Sequence, residues 1–281
     1  MKVKRMNSRT FFCLLFSSLM SSSYAGTMGE IPHATLGKIY VGAFGGGGSL
    51  SSGNYSQHGT SFYPEDEGGP LAVNAVGSAA NKSEWLVGGH VGYKWPTRVL
   101  NNINSSWSFA PATELEGYYI GGVTLSADDK DNDTTRIDEH YFHVTYPLRT
   151  GVFLINSVLN VDHPSLDKFH PYVGVGIGAA VLAISGANSA QKTPAEPGIN
   201  HYNSNASDTS IAFAAQPKIG MAFDITPSAS LFVEYRFLYL SASSYTFGST
   251  VYPTHKVTSD WDVKIGSQYY NMGTIGVHYD L

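Results

Sequence analysis

Glu234 and Arg236 stand two residues apart in the segment SLFVEYRFLYL, and Leu231, Val233, Tyr235, Phe237 and Tyr239 fill the alternate positions. Residues two apart share a face in an extended chain, so an acid and a base look one way while the apolar residues look the other. Lys218, beside Gln216, repeats the pattern in the preceding segment. Lys94 and Glu116 sit similarly in two earlier ones, and His90 and His278 occupy the same kind of position. Charges gathered on one face can neutralise one another, because a buried charge left unpaired is costly, or they can line a narrow path for ions or protons. The expectation is an internal polar network of Lys94, Glu116, Lys218, Glu234 and Arg236, structural in the first place.

Other residue types invite other chemistry. His58, His201 and His255 fall in three of the four long polar spans and His140 just past the other, and together they could collect a transition metal, but no HxH or HxxxH pair joins them. Ser241, His255 and Glu84 are a nucleophile, a base and an acid, the types a lipid-modifying hydrolase would use; no spacing ties them into a triad. The run from Asp128 to Asp133 is rich in carboxylates. It lacks the Gly at position 6 of an EF-hand loop, and reads as a solvated loop tip. No catalytic residue, metal ligand set or cofactor is therefore assigned.

The chain start reads as a secretory leader over residues 1–25. Lys2, Lys4, Arg5 and Arg9 are its basic region, Phe11 to Met20 its apolar stretch, and Ser23-Tyr24-Ala25 its cleavage site. The stretch is shorter than the roughly 20 residues of a spanning helix. Cys13, the one cysteine, lies inside it, so the mature chain is expected to carry neither disulfide nor thiol chemistry. Taking the four basic residues from 17 leaves 13 Lys+Arg against 22 Asp+Glu, or −9, which argues against a nucleic-acid partner.

The elements that position the charged face alternate with period 2. From Tyr269, the odd positions to Leu281 are largely apolar and the even ones small or polar, and the stretch Val263 to Leu281 reads as the last strand. Earlier strands are read at 36–48, 84–95, about 107–123, 170–185, 210–225 and 230–241. In the second, Trp85 and Trp95 mark the two ends of the apolar face, as interfacial aromatics do on a membrane-spanning strand of about 9–11 residues. Between 137 and 161 the membrane portion is placed at 151–161, with 137–147 extending above it. A hairpin at Pro147-Leu148-Arg149-Thr150-Gly151 would raise the count from eight strands to ten. The spans 49–83, 125–136, 186–208 and 243–261 are long and polar, whereas those at 96–106, 162–168 and 226–229 are short. Long loops on one side and short turns on the other characterise outer-membrane barrels. An apolar last strand would be an aggregation edge unless it paired with the first. The reading is an all-β, antiparallel, up-and-down transmembrane β-barrel over 26–281, a monomer with both termini periplasmic.

The segments GKIYVGAFGGG, FHPYVGVGIGAA, SLFVEYRFLYL and NMGTIGVHYDL resemble the small eight-stranded outer-membrane barrels, the OmpA transmembrane domain and the opacity proteins among them. That group commonly ends in Phe, where this chain has Leu281. The resemblance implies contact with outer-membrane lipid and lipopolysaccharide, and with the barrel-assembly machinery through the C-terminal strand. It also implies surface loops that meet a host or surface ligand. An adhesin-like, non-catalytic role is expected. A narrow pore, a lipid-modifying outer-membrane enzyme and a soluble lipocalin-like carrier are the alternatives.

Overall fold

The computed structural model describes residues 37–79, 81–96, 98–99, 107–131 and 140–281. The predicted leader and residues 132–136 of the second loop lie outside them. Among the described residues fourteen strands form one sheet: β1 (Lys38–Ser52), β2 (Asn54–Ser61), β3 (Leu71–Ser78), β4 (Lys82–Lys94), β5 (Arg98–Val99), β6 (Ser108–Asp131), β7 (Tyr141–Asp162), β8 (Phe169–Ser185), β9 (Asn188–Thr193), β10 (Ser207–Thr226), β11 (Ala229–Leu240), β12 (Ser243–Phe247), β13 (Trp261–Ile265) and β14 (Gln268–Asp280). Eight of them close a ring in the order β6-β4-β1-β14-β11-β10-β8-β7, with β7 returning to β6. The first and last strands make the seam, from Tyr40 opposite Asp280 to Ser52 opposite Gln268, and Leu281 N–H donates to the Ile39 carbonyl at 2.9 Å.

Alternation decides what faces where. Trp85, Val87, Val91 and Tyr93 on β4 and Trp95 just past its end point outward and are exposed, as are Val173, Val175 and Ile177 on β8 and Ile275, Val277 and Tyr279 on β14. Trp85 packs on Tyr119 at one edge of this apolar belt and Tyr93 on Trp95 at the other. A continuous apolar belt far exceeds what water tolerates on a soluble surface. A closed ring satisfies every ladder hydrogen bond without an edge, the requirement hydrocarbon imposes. The fold is a transmembrane β-barrel.

The strand from Tyr141 to Asp162 is unbroken, so no hairpin forms at Pro147–Gly151 and the ring has eight strands, not ten. Pro147 pairs with Thr124 on one side. On the other side it falls where the pairing with β9 has ended at Thr145 and that with β8 has yet to begin at Leu148. An imino acid costs little where no ladder donor is needed. The stretch Val263–Leu281 is likewise two strands. Trp261, Val263 and Ile265 face in at odd positions, and Gln268, Tyr270 and Met272 at even ones. Gly266 and Ser267 make the switch, and a Cβ on Gly266 would lie 3.0 Å from the Asn54 carbonyl oxygen.

The four polar spans correct the sequence reading most. Within the described residues they carry strands. β2, β3, β9, β12 and β13 lie within or border 49–83, 186–208 and 243–261, and β6 runs on through 125–131 after a bulge between Ile120 and Val123. With the far ends of β6 and β7 they form a seven-stranded run, β12-β13-β2-β3-β6-β7-β9, that stands above the ring as a crown. Its interior holds Tyr55, Tyr146, Tyr202, Tyr245, Phe247 and Trp261, all nearly inaccessible. Tyr55 stacks on Tyr146 at 5.8 Å, Tyr146 on Phe247 at 5.9 Å and Tyr202 on Phe247 at 4.8 Å. Stacked rings bury large areas, and this ordering is what the composition conceals.

Candidate functional site

Inside the ring, β6, β10 and β11 carry the charges. The Lys218 ammonium on β10 donates to Glu114 Oε2 at 2.7 Å and to Glu116 Oε2 at 3.4 Å, and lies 3.4 Å from Glu234 Oε2. Arg236 Nη1 donates to Glu116 Oε1 at 2.8 Å, and Arg236 Nε meets Glu234. Neutral donors complete the set: Tyr40 hydroxyl to Glu114 at 2.7 Å, Gln216 to Glu116 at 3.0 Å, and Tyr118 hydroxyl to Gln216 at 2.7 Å. The Arg236 guanidinium lies 3.8 Å from the centre of the Phe44 ring, a cation–π contact. No member is more than 5 % exposed.

Four of the five residues expected from sequence, Glu116, Lys218, Glu234 and Arg236, thus meet. Lys94 does not join them: it sits at the end of β4, its ammonium 5.7 Å from the Tyr40 ring centre. Glu114 was missed, although its spacing of two from Glu116 puts both carboxylates on one face. His90 and His278 face in, 4.9 Å apart between ring centres, with His278 stacked on Phe232 at 4.2 Å. Side chains fill the interior of a barrel this narrow, and the ionic cluster lies across its middle.

The remaining candidates separate. Ser241 Oγ accepts from the Phe213 N–H at 3.0 Å, Glu84 is buried in the ring on β4, and His255 stands in the crown beside Glu196, so the imagined nucleophile, base and acid have three different settings. Within the run from Asp128 the first carboxylate is exposed and the second is not, and Asn132 and Asp133 lie outside the described residues. Asp128 accepts from His143 at 2.7 Å, and Asp129 is fully buried in the crown, its carboxyl pushed up to about 6 by burial and by the charge of Asp128. Of the four loop histidines, His58 pairs with Asn74 and His140 stacks with Phe142. His201 and His255 come together, 5.3 Å between ring centres.

A closed eight-stranded transmembrane ring, ionically packed within and carrying a folded crown, is the class this geometry defines. The chain belongs to the surface antigen family, whose family model matches residues 88–279, more than half of its length. Solved structures with a similar trace are outer-membrane-type barrels. OprG, an outer membrane protein of Pseudomonas aeruginosa, is 11% identical with a TM-score of 0.45, over 87% of this chain and 97% of that one. The outer membrane protease OmpT of Escherichia coli is 12% identical with a TM-score of 0.38, over 91% and 99%. Neisserial surface protein A is 12% identical with a TM-score of 0.34, over 86% and 96%. No curated protein matches the chain by sequence.

Proposed function

We propose that the protein is a surface-display barrel of the outer membrane whose crown binds a host or surface partner, without catalysis or transport being its task. The observation that carries this reading is the crown itself. Polar spans that a tethering loop would leave irregular are folded onto a private aromatic core, and binding residues are commonly held on a rigid scaffold in this way. On the crown surface Phe62 is 50 % exposed and Val257 53 %, and Phe62 N–H donates to the Val257 carbonyl at 2.9 Å. The two offer an apolar footing beside the ion pair of Lys256 with Glu67 at 2.7 Å. Exposed apolar patches rimmed by polar groups mark interaction sites. In this reading the crown faces outward, both termini lie in the periplasm, lipopolysaccharide surrounds the belt, and the last strand is the handle for the assembly machinery. The chain acts as a monomer, and the packed ionic cluster stands in the way of a pore.

The test combines localisation with binding. Protein in the outer-membrane fraction, slower on gels after boiling than before and cut by external protease between 62 and 70 or between 192 and 199, is the expected result. Soluble protein without a heat shift would put a lipocalin-like carrier first. Bacteria displaying the wild type should bind cultured host cells better than those displaying Phe62→Glu with Val257→Glu. Equal binding at equal display would refute the adhesin role.

A further inference from the structure

Two crown segments far apart in sequence are clamped face to face. Asn203 donates to the Val251 carbonyl at 2.7 Å and accepts from the Val251 N–H at 2.8 Å, Asn200 N–H donates to the Tyr252 hydroxyl at 3.2 Å, and Thr250 donates to the His201 carbonyl at 2.9 Å. This clamp brings the β9–β10 connection against the β12–β13 connection. Where they meet, three ligand-type atoms converge: His201 Nε2 lies 3.4 Å and His255 Nε2 3.3 Å from the same oxygen, Glu196 Oε2.

The hydrogen bonds assign the tautomers. His201 Nδ1 lies 2.8 Å from the Ser189 carbonyl and His255 Nδ1 faces the Lys256 carbonyl. A carbonyl only accepts, so each Nδ1 carries a hydrogen and each ring turns its Nε2 inward. Two ring nitrogens and a carboxylate oxygen then confront one another, and that oxygen is buried with no hydrogen-bond donor. A metal cation standing between them would hold three such atoms at this spacing.

We infer that Glu196, His201 and His255 form a binding site for a divalent transition metal of the zinc class, stapling the two crown connections. Two ligands at about 2.0–2.1 Å from a tetrahedral zinc stand roughly 3.3–3.4 Å apart, the spacing of Glu196 Oε2 from each Nε2. Donation of the second ring nitrogen to a backbone carbonyl is the outer shell that zinc-ligating histidines use. Two imidazoles and one carboxylate leave a fourth position open. That position looks to solvent, since the side chains of Glu196 and His255 are 31% and 15% exposed while that of His201 is 2%. The other converging set, His90 with Glu114 and Glu116, differs because its carboxylates already have Lys218 and Arg236.

The test is calorimetric titration of zinc chloride into the barrel purified from the outer membrane in detergent. One saturable site per chain is expected. Glu196→Gln and His255→Ala should each weaken it at least about tenfold while the gel heat shift is kept, and His58→Ala should leave it unchanged. Cobalt(II) should give the strong visible absorption of a four-coordinate ion, lost in the same two variants. If His255→Ala does not fold, His255→Gln gives the same reading at conserved size. No saturable heat with the wild type, or undiminished binding in both ligand variants, would overturn the site.

Discussion

Arg236 on β11 donates to Glu116 on β6 at 2.8 Å although the two strands are not neighbours. In the ring order β6-β4-β1-β14-β11 they stand four steps apart, half of the circuit of eight. The bond therefore runs across the diameter of the barrel, and the ion pair braces opposite walls that no backbone ladder connects.

Truncating Arg236 should show this. Arg236→Ala leaves Glu116 and Glu234 buried with Lys218 as their remaining cation, and breaking a buried pair from one side costs about 3–5 kcal/mol. The folded form should convert to the unfolded gel position at a lower temperature. The double variant Arg236→Met with Glu116→Gln should lose less than the two single losses combined, because both halves of the pair go together. An unchanged shift temperature in Arg236→Ala would refute the brace.

Two glycines make room for the rings that line this interior. A Cβ on Gly220 would strike the Tyr172 ring, and one on Gly92 would strike the ring of Tyr40, whose hydroxyl serves Glu114. Gly92→Val should cost about 1–3 kcal/mol by overpacking and also loosen Glu114. Gly45→Val is the control, since the nearest atom to its Cβ would be the Leu86 carbonyl oxygen at 3.6 Å. Urea midpoints of the three proteins in detergent check this; equal midpoints for Gly92→Val and wild type would contradict it.

The crown should lose its fold separately from the ring. Trp261 is buried to 1% exposure and packs edge-on to His201 at 5.8 Å and to Tyr202 at 6.3 Å. Trp261→Ala should cost about 3–5 kcal/mol, drawn from crown contacts alone. The expected outcome is faster proteolysis within 54–78 and 186–206 with the heat shift retained. Loss of the heat shift would mean that ring and crown fold as one unit.

How much of this was legible follows from the physics of each layer. Membrane strands must present an unbroken apolar face to lipid, so Trp85 to Trp95 and Tyr269 to Leu281 announce themselves by alternation alone. The crown is solvated outside and aromatic inside, and β2, with the sequence NYSQHGTS, buries Tyr55, Gln57 and Ser61, which reads as loop composition. Parity switches hid the rest. The bulge at Gly121 and Gly122 and the break at Gly266 and Ser267 each reset which residues face in, so a period carried through them fails. The meeting of Glu196, His201 and His255 depends on two connections touching in space, and residue spacing along the chain holds no record of it.

Asp129 is the point where the crown's polar origin can be measured. Its carboxyl is fully buried, without a hydrogen-bond donor, and pushed up to about 6 from the ordinary 3.8, first by burial and then by the neighbouring Asp128. Between those two values the folded crown holds a proton that the unfolded chain has released, so stability falls as pH rises through that window and is lowest above it. At about 1.4 kcal/mol per pH unit, the penalty at neutral pH is on the order of 3 kcal/mol. Asp129→Asn removes the charge but keeps a polar group that itself wants partners. It should therefore recover about 1–3 kcal/mol at pH 7 and little or nothing at pH 4. Crown unfolding, followed by tryptophan fluorescence of Trp261 in urea, should give a midpoint that declines from pH 4 to pH 7 in the wild type and stays level in the variant. Parallel profiles would show that the carboxyl finds water or a partner that relieves it.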